Sequence, residues 1–227
     1  RQMLIDGGPN ASVLRQLSRV SPWWDRTIDV VLATHPDIDH SNGLADVFAR
    51  YRVAEIFLPS VEGSTSDWET TLRAAHAEDA QEFIAERGQV IDIGAGAYAH
   101  ILFPDRPLVH AETNLASIVV RLVYGNTSFM LTGDSPDEIE QYLVGLDGKE
   151  LESDVLKAGH HGSKTSSAVA FLSVVDPTYV VFSRGCDNRY GHPAPEIVER
   201  FKSMETEAFD TCEEGTVTFV SDGQGVT

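Results

Sequence analysis

The sequence is poor in cysteine and lacks long apolar runs, and both shortages exclude classes of protein. Two cysteines in 227 residues, Cys186 and Cys212, are too few for a disulfide framework and do not form a CxxC motif. We therefore expect two ordinary thiols. No run of about 18 apolar residues occurs and no signal peptide opens the chain, so we expect a soluble domain. Both a cytoplasmic domain and one attached to a membrane protein are compatible with this, and the oligomeric state is left open.

Positive charge is also scarce. The chain has 17 Lys and Arg against 35 Asp and Glu, a formal net charge of −18. This balance excludes a broad basic surface for nucleic acid, because neutralising phosphates requires clustered Lys and Arg. One segment, 157–193, reverses the balance with four basic residues against two acidic ones, namely Lys157, Lys164, Arg184 and Arg189 against Asp176 and Asp187. We expect any polyanionic substrate to be held locally.

Apolar runs and helical periodicity alternate along the chain and predict a layered α/β fold. We expect a single domain over 1–227, and an upstream segment, because the chain opens in a strand (Met3–Ile5) without a start methionine. Further strands are predicted at Ile28–Ala33, Val53–Leu58, Val90–Ile93, Ile101–Phe103, Ser117–Tyr124, Ser128–Thr132, Asp154–Ala158, Tyr179–Ser183 and Thr216–Val220. Helices are predicted at Ser12–Val20, Leu44–Tyr51, Asp67–Arg87, Pro136–Leu146, Ser166–Val174 and Pro195–Met204.

Three acid and imidazole clusters follow predicted strands. Ser135, with proline next and Glu138 three residues later, has the pattern of a capping box, so a helix is expected directly after "FMLTGD". Asp134 then lies at the carboxyl end of a strand. The "GHH" motif follows "DVLKA", and His35 follows "IDVVLAT". The carboxyl ends of strands are where α/β sheets tend to bind ligands.

The segment "HPDIDH" concentrates metal-binding side chains. His35, Asp37 and Asp39 have the same parity, so an extended backbone directs them to one side. The "SNG" at 41–43 then allows a turn that brings His40 to them. Adjacent carboxylates repel by roughly 4 kcal/mol at about 4 Å and an effective dielectric near 20. A divalent cation removes this repulsion, so the segment predicts a metal site.

These motifs carry a resemblance to a known family. The segments "LIDGG", "THPDIDH", "LTGD" and "KAGHHGS" resemble the ordered motifs of the metallo-β-lactamase superfamily. More narrowly, "HPDIDHSNGL", "NLAS", "HHGSKTS" and "NRYGHP" are similar to the C-terminal hydrolase-like domain of ComEC-type DNA-internalisation proteins. The resemblance covers nearly the whole chain and implies an αββα sandwich, two mixed sheets flanked by helices, with a two-metal site. It also makes membership of a larger membrane protein an open expectation.

The resemblance also implies roles for individual residues. The implied ligands are His35 and Asp37 for one metal, Asp39 and His40 for the other, Asp134 as the bridge and His160 as the remaining ligand. His161 is expected to contact substrate or leaving group, although the two histidines can exchange roles. Asp6 is expected to orient the ligands. The implied catalytic residues are Asp39, His161, His192 and Lys164, and the implied substrate contacts are Asn114, Ser163, Lys164, Thr165, Arg184, Asn188 and Tyr190.

Two positions depart from the commoner superfamily pattern, HxHxDH. Asp37 replaces its second histidine, and Asn114 stands where many members have a further metal-binding histidine. Three imidazoles and three carboxylates form a harder ligand set, so Mn²⁺ competes with Zn²⁺ as the metal. Lys164, with Ser163 and Thr165 at an expected helix start, is predicted to hold a phosphate oxygen through its charge and the N–H groups of the local backbone.

Three functions follow from these features. The first is a two-metal phosphodiesterase or nuclease that processes incoming DNA, in which the metals lower the pKa of a bound water and stabilise developing charge. The second is a hydrolase of small esters, lactones, phosphocholine or β-lactams. The third is a domain that binds nucleic acid or a partner without turnover; the intact cluster from His35 to His40 is evidence against it.

Overall fold

The computed structural model describes residues 1–227 and has an α/β fold with eleven strands and seven helices. The strands are β1 (Met3–Ile5), β2 (Thr27–Leu32), β3 (Arg52–Leu58), β4 (Gln81–Ile84), β5 (Val90–Gly94), β6 (Ala97–Phe103), β7 (Val119–Tyr124), β8 (Thr127–Leu131), β9 (Val155–Lys157), β10 (Tyr179–Phe182) and β11 (Glu207–Asp210). The helices are α1 (Ser12–Val20), α2 (Ile38–Phe48), α3 (Ser66–Ala77), α4 (Asp137–Asp147), α5 (Val169–Val175), α6 (Pro195–Ser203) and α7 (Thr211–Glu214). No helix combines the length and the apolar character that crossing a membrane requires.

The chain divides into two compact units, each built from two segments. The first unit contains residues 1–86 and 104–118, and the second contains residues 87–103 and 119–227. The prediction of a single domain stays a prediction.

The first unit contains a four-stranded parallel sheet in the order β1-β2-β3-β4. Strand β2, with the sequence TIDVVL, is almost entirely buried, and its apolar residues form a core with α2 and α3. Helix α1 places Val13, Leu14 and Leu17 against this core. The parallel arrangement places the carboxyl ends of all four strands at one edge, and the residues after β2 therefore emerge there.

The second unit contains a seven-stranded mixed sheet in the order β11-β10-β9-β8-β7-β6-β5. Strands β5 to β8 are antiparallel neighbours, and β8 to β11 are parallel. Strands β7 and β8 form a hairpin: Tyr124 pairs with Thr127 across the Gly125-Asn126 turn, and Gly125 adopts a positive φ of 58°. The parallel half brings the residues after β8, β9 and β10 to one edge of the sheet.

Several elements differ from the sequence prediction. Helix α3 ends at Ala77 instead of Arg87, and residues 81–84 form the edge strand β4, whose backbone groups pair with β3. Strand β11 was not predicted. Residues 216–220 form no strand, and Phe219 packs instead against an aromatic cluster of Phe129, Tyr179 and Phe209. The smaller sheet is entirely parallel instead of mixed.

The predicted capping box is also wrong. Helix α4 begins at Asp137, Pro136 is its extended N-cap residue, and Ser135 makes no capping hydrogen bond. The N–H of Asp137 donates instead to the carbonyl of Thr165 at 2.8 Å. A neighbouring loop therefore satisfies this helix end, which local sequence patterns do not reveal.

The two cysteines are not free thiols. Cys186 and Cys212 form a disulfide, with Cα atoms 4.9 Å apart and a separation of 26 residues. Their distance in sequence was misleading because β10 and β11 are parallel neighbours, so the residues that follow each strand meet at the same edge.

Candidate metal centre

The first ligand set lies at the carboxyl end of β2. Thr34 and His35 are buried directly after this strand, and α2 begins at Ile38, well before the predicted start at Leu44. His40 therefore lies in the first helical turn, where its N–H donates to the carbonyl of Asp37 at 3.0 Å. The predicted extended backbone through 39 and the turn at 41–43 are wrong, because helix formation brings His40 to the cluster instead.

Asp6 orients both histidines of this set. Its carboxylate accepts hydrogen bonds from the N–H and hydroxyl of Thr34, both at 2.8 Å, and from Nδ1 of His40 at 2.7 Å. Because the Thr34 hydroxyl donates to Asp6, its oxygen accepts from Nδ1 of His35 at 2.9 Å. Each imidazole thus has its proton on Nδ1 and a lone pair on Nε2, which is the state that metal-ligating histidines require.

The pKa of Asp6 agrees with this role. Burial alone would raise it, but the charge and hydrogen bond of His40, together with His35 and the Thr34 N–H, lower the pKa below its ordinary value. Asp6 therefore stays ionised. As a permanent acceptor it holds the imidazole protons of the cluster in place.

Close backbone packing fixes the position of α2 beside the loop that carries Asp6. The N–H groups of Gly7 and Gly8 donate to the His40 carbonyl at 2.7 and 3.0 Å. A Cβ on Gly43 would lie 2.1 Å from the carbonyl oxygen of Gly7. Glycine at 43 thus permits the contact that keeps His40 next to Asp6.

Potential ligand atoms of the first set are close together. Nε2 of His35 lies 3.9 Å from Oδ2 of Asp37, and the rings of His35 and His40 have centroids 4.2 Å apart. Ligand atoms of His40 lie within 4.8 Å of those of both His35 and Asp39. Asp39 is exposed and Asp37 half-buried, so the carboxylates face the open side of the cluster.

The second unit contains its own ligand set at the edge where β8 and β9 end. Oδ2 of the buried Asp134 lies 3.6 Å from Nε2 of His160 and 3.6 Å from Nε2 of His161. Nδ1 of His161 donates to the Ser183 carbonyl at 2.6 Å, and Nδ1 of His160 lies 3.3 Å from the Thr165 hydroxyl. The carbonyl only accepts, so the His161 lone pair is on Nε2, facing Asp134.

The backbone at this histidine pair is unusual. His160 and His161 both have positive φ, 48° and 56°, within a short 3₁₀ segment, Gly159–Gly162. Non-glycine residues rarely adopt this conformation, which costs roughly 1–2 kcal/mol per residue. Consecutive residues of this kind mark a site where the surrounding structure enforces geometry for function. Both ligand sets therefore fit divalent metal in donor chemistry, protonation and position at strand ends.

Comparison with known families agrees with these two ligand sets. Residues 1–185 match the family described as "Metallo-beta-lactamase superfamily". The chain belongs to this superfamily. The predicted fold class is thereby confirmed as the α/β metallo-β-lactamase fold, with two sheets flanked by helices.

The curated relatives include proteins named for competence and for recombination. The chain is 30% identical over 194 residues to ComE operon protein 3 of Bacillus subtilis, an alignment that covers 86% of this chain and 25% of that protein. It is 39% identical over 108 residues to Competence protein ComA of Neisseria gonorrhoeae, covering 48% of this chain and 16% of that protein. The predicted similarity to ComEC-type proteins is confirmed, and the chain spans about a quarter or less of these relatives' length.

Solved structures show the same fold at low identity. The metallo-β-lactamase fold protein YhfI from Bacillus subtilis matches with a TM-score of 0.58 and 14% identity, covering 92% of this chain and 83% of that one. Zn²⁺-bound PqqB from Methylobacterium extorquens matches with a TM-score of 0.52 and 10% identity, covering 92% and 81%.

The residues that were predicted to contact substrate are distributed over both units. In the first, Asn114 begins a 3₁₀ turn that leads to Ile118, whose N–H donates to the Thr34 carbonyl at 3.0 Å beside the metal motif. The side-chain oxygen of Asn114 is buried and makes no hydrogen bond within the protein. An amide oxygen in this state is available to a metal-bound water or a substrate group.

In the second unit, the "SKTS" segment is not a helix start. Helix α5 begins only at Val169, so the predicted role of helical N–H groups around Lys164 is wrong. Lys164 is exposed in a loop, between the buried Ser163 and the exposed Thr165, whose hydroxyls lie 3.0 Å apart. Lys164 follows the histidine pair closely in the chain, three residues after His161.

The loop between β10 and α6 carries the other predicted contacts. The side chain of Asn188 donates to the His192 carbonyl at 2.9 Å and accepts from the His192 N–H at 2.8 Å, so it shapes the loop. Tyr190 is exposed and stacks on the His192 ring, with centroids 5.7 Å apart. Arg184 is bound to Asp210, with two nitrogens each 2.7 Å from Oδ2.

His192 faces the histidine pair. Its ring lies 5.7 Å from that of His160, and its Nδ1 is buried without a hydrogen-bond partner. Burial lowers the pKa of His192, and the charges of His160 and His161 lower it further. The ring is therefore neutral at neutral pH, and it offers one N–H to a ligand.

Sequence reasoning missed several residues that build the site. Thr34 links Asp6 to His35, Ser183 holds His161 through its carbonyl, and the carboxylate of the buried Glu140 accepts the N–H groups of Ser167 and Ala168 at 2.9 and 2.6 Å. Backbone carbonyls carry no sequence signal. Glu140 had one available signal: an acidic residue on the apolar face of a predicted helix.

Proposed function

We propose that the chain is a two-metal phosphodiesterase or nuclease that acts on DNA during its uptake. Membership of the superfamily supports metal-dependent hydrolysis, and the names of the curated relatives support a role in competence. The observation that carries the proposal is the fixed protonation of His35, His40 and His161, each of which has its Nδ1 proton held by an acceptor and its lone pair on Nε2.

We propose the ligand assignment as follows. His35 and Asp37 would hold one ion, Asp39 and His40 would hold the other, and Asp134 would be shared by both. For the remaining ligand, His161 is preferred to His160, because the Ser183 carbonyl fixes its tautomer with the short 2.6 Å hydrogen bond. The ligand set of imidazoles and carboxylates suits either Mn²⁺ or Zn²⁺.

The residues around this centre have distinct tasks in hydrolysis. When bound, two divalent ions would lower the pKa of a water ligand and stabilise the negative charge that develops on the phosphoryl oxygens. Lys164 attracts a non-bridging phosphate oxygen. The neutral His192 donates its N–H to the leaving oxygen, and Tyr190 offers an exposed ring to a nucleotide base.

The test is a metal and substrate panel. Metal-free protein is reconstituted with Mn²⁺ or Zn²⁺ and offered single-stranded DNA, bis-p-nitrophenyl phosphate, a lactone and nitrocefin. The proposal expects cleavage of the first two only. Cleavage of the lactone or nitrocefin alone would identify a small-ester or lactam hydrolase, and two bound metals without turnover would identify a binding domain.

A matched pair of variants links activity to the centre. Asp134→Asn is expected to abolish turnover and lower metal content, since it removes a carboxylate from between two imidazoles. Asp154→Asn is the control, because Asp154 lies at the opposite end of β9 and accepts the Ser128 N–H at 2.7 Å, which an amide oxygen also does. Wild-type turnover by Asp134→Asn contradicts the bridging role.

A further inference from the structure

The loop from Ser183 to Ala194, which we name the 183–194 loop, is tied to the segment after β11 by three links. The first is the Cys186–Cys212 disulfide. The second is the Arg184–Asp210 ion pair, in which Nε and Nη2 each lie 2.7 Å from Oδ2. The third is the Thr211 hydroxyl, which accepts the Arg184 N–H at 2.9 Å. We call these three links the clasp.

The same loop contacts the histidine pair directly. Its first residue, Ser183, accepts the Nδ1 proton of His161, and its last, Ala194, donates its N–H to the Gly162 carbonyl at 2.9 Å. Between these anchors, His192 packs against His160. The loop therefore begins against the His161 side chain and ends on the backbone of Gly162, and the clasp holds its outer part.

Without the clasp, little would fix the outer part of the loop. Residues 185–187 and 189–191 are exposed, and Tyr190 is 81% exposed. The side-chain hydrogen bonds within this stretch join Asn188 to Gly185 and His192, so they shape the loop but do not attach it to the sheet. The attachment of this stretch beyond its two ends comes from the clasp.

We infer that the Cys186–Cys212 disulfide is a positioning element for substrate: it holds the 183–194 loop so that Tyr190 and His192 meet the phosphodiester, and its reduction weakens substrate binding. This inference rests on the proposed function. Cys186 is exposed and Cys212 half-buried, so a reductant reaches the bond. A phosphine breaks the S–S bond by donating two electrons; water supplies the oxygen of the phosphine oxide and the two protons of the thiols.

The experiment compares the metal-loaded wild-type protein with the double variant Cys186→Ser, Cys212→Ser. Binding of a phosphorothioate single-stranded oligonucleotide is followed by fluorescence anisotropy, with and without a phosphine reductant. We expect the variant, and the reduced wild type, to bind about tenfold more weakly, with KM raised by a similar factor and kcat changed less than about threefold. The variant is its own control, because the reductant has no disulfide to act on.

A second readout does not depend on activity. Arg189 is exposed in the loop, so trypsin is expected to cut after it faster, by about tenfold or more, once the disulfide is absent. Asp210→Asn provides a variant that keeps the disulfide but weakens the ion pair, and it is expected to shift both readouts in the same direction by a smaller factor.

The outcomes separate this inference from the proposed function. Faster cleavage after Arg189 together with weaker oligonucleotide binding supports the positioning role. Unchanged cleavage and binding after disulfide removal overturn it, and so does faster cleavage with unchanged binding. If oxidised protein neither binds nor cleaves phosphodiesters, the proposed function fails while the proteolysis result still reports whether the clasp holds the loop.

Discussion

At the scale of single residues, two adjacent histidines have different environments. Nε2 of each lies 3.6 Å from Asp134, but His161 is held by a carbonyl at 2.6 Å, whereas His160 has a hydroxyl at 3.3 Å that can donate or accept. A fixed tautomer keeps the lone pair of His161 on Nε2. His160 is free to present either ring nitrogen, which suits contact with substrate.

This difference predicts opposite effects of two substitutions. His161→Ala is expected to lower metal affinity at least tenfold, since it removes a ligand. His160→Ala, its matched control, is expected to change metal affinity less than about threefold while lowering kcat/KM for the phosphodiester. Competition with a chromophoric chelator measures the affinities, and the reverse order of effects would return the ligand role to His160.

Glu140 is a buried acid that acts outside the ligand set. Burial raises its pKa to about 7, against the lowering effect of the Ala168 and Ser167 N–H groups; nearby Asp137 raises the pKa and Arg200 lowers it. Since the pKa of Glu140 in the folded state exceeds its ordinary value of 4.5, the folded state binds more protons than the unfolded state between pH 4.5 and 7. The extra proton bound by folded Glu140 thus favours the folded state at low pH. That contribution to the free energy of unfolding is lost as the pH rises toward 7.

Glu140→Gln removes this titration. Because the pKa of Glu140 is raised to about 7, the free energy of unfolding of the wild type is expected to fall, relative to the variant, by roughly 3 kcal/mol between pH 4.5 and 7. Urea unfolding of both proteins at several pH values measures the difference between their free energies of unfolding. The titration of the other groups is common to both proteins and cancels in this difference. A difference that stays constant across this range would show that Glu140 titrates normally.

At the scale of elements, the position of α2 depends on a backbone contact. A Cβ at residue 43 would lie 2.1 Å from the Gly7 carbonyl oxygen and 2.7 Å from that of Asn10. Neither atom is at the end of a flexible side chain, so the helix has to move. This movement carries His40 away from Asp6.

Gly43→Ala is therefore expected to destabilise the protein by about 1–3 kcal/mol and to weaken metal binding. Gly145→Ala in α4 is the matched control, because its Cβ meets nothing within 4 Å, and alanine is expected to stabilise that helix by roughly 0.5–1 kcal/mol. Urea midpoints at an unchanged m-value measure both effects. Equal destabilisation by the two substitutions would contradict the contact argument.

The helices and strands also show which parts of the fold sequence patterns can predict. Helix α1 was predicted with its observed bounds, because its apolar residues repeat at helical spacing and a turn follows. The ends of β2, β8 and β9 were predicted closely enough to place His35, Asp134 and the histidine pair at strand ends. Sequence patterns failed where the local structure depends on backbone that is distant in sequence. Residues 81–84 form strand β4 because β3 pairs with them, and the disulfide forms because β11 lies beside β10.

At the scale of the whole molecule, a net charge of −18 repels a polyanion except where local groups attract it. The excess of basic residues in 157–193 is small, and one of its members, Arg184, is already paired with Asp210. A single strand can therefore be neutralised at only a few phosphates. Affinity has to come mainly from the metal centre and from contacts such as Tyr190.

This charge distribution predicts a weak salt dependence of binding. For the phosphorothioate oligonucleotide, a plot of log K against log salt concentration is expected to have a slope no steeper than about −3, given about 0.7 per neutralised phosphate. Lys164→Ala is expected to flatten the slope by about 0.7. Lys202→Ala is the control, because Lys202 lies in α6, outside this segment, and pairs with Glu199 at 3.4 Å. A slope steeper than about −5, or equal flattening by both variants, would mean that DNA is bound along an extended basic surface, contrary to local capture at the metal centre.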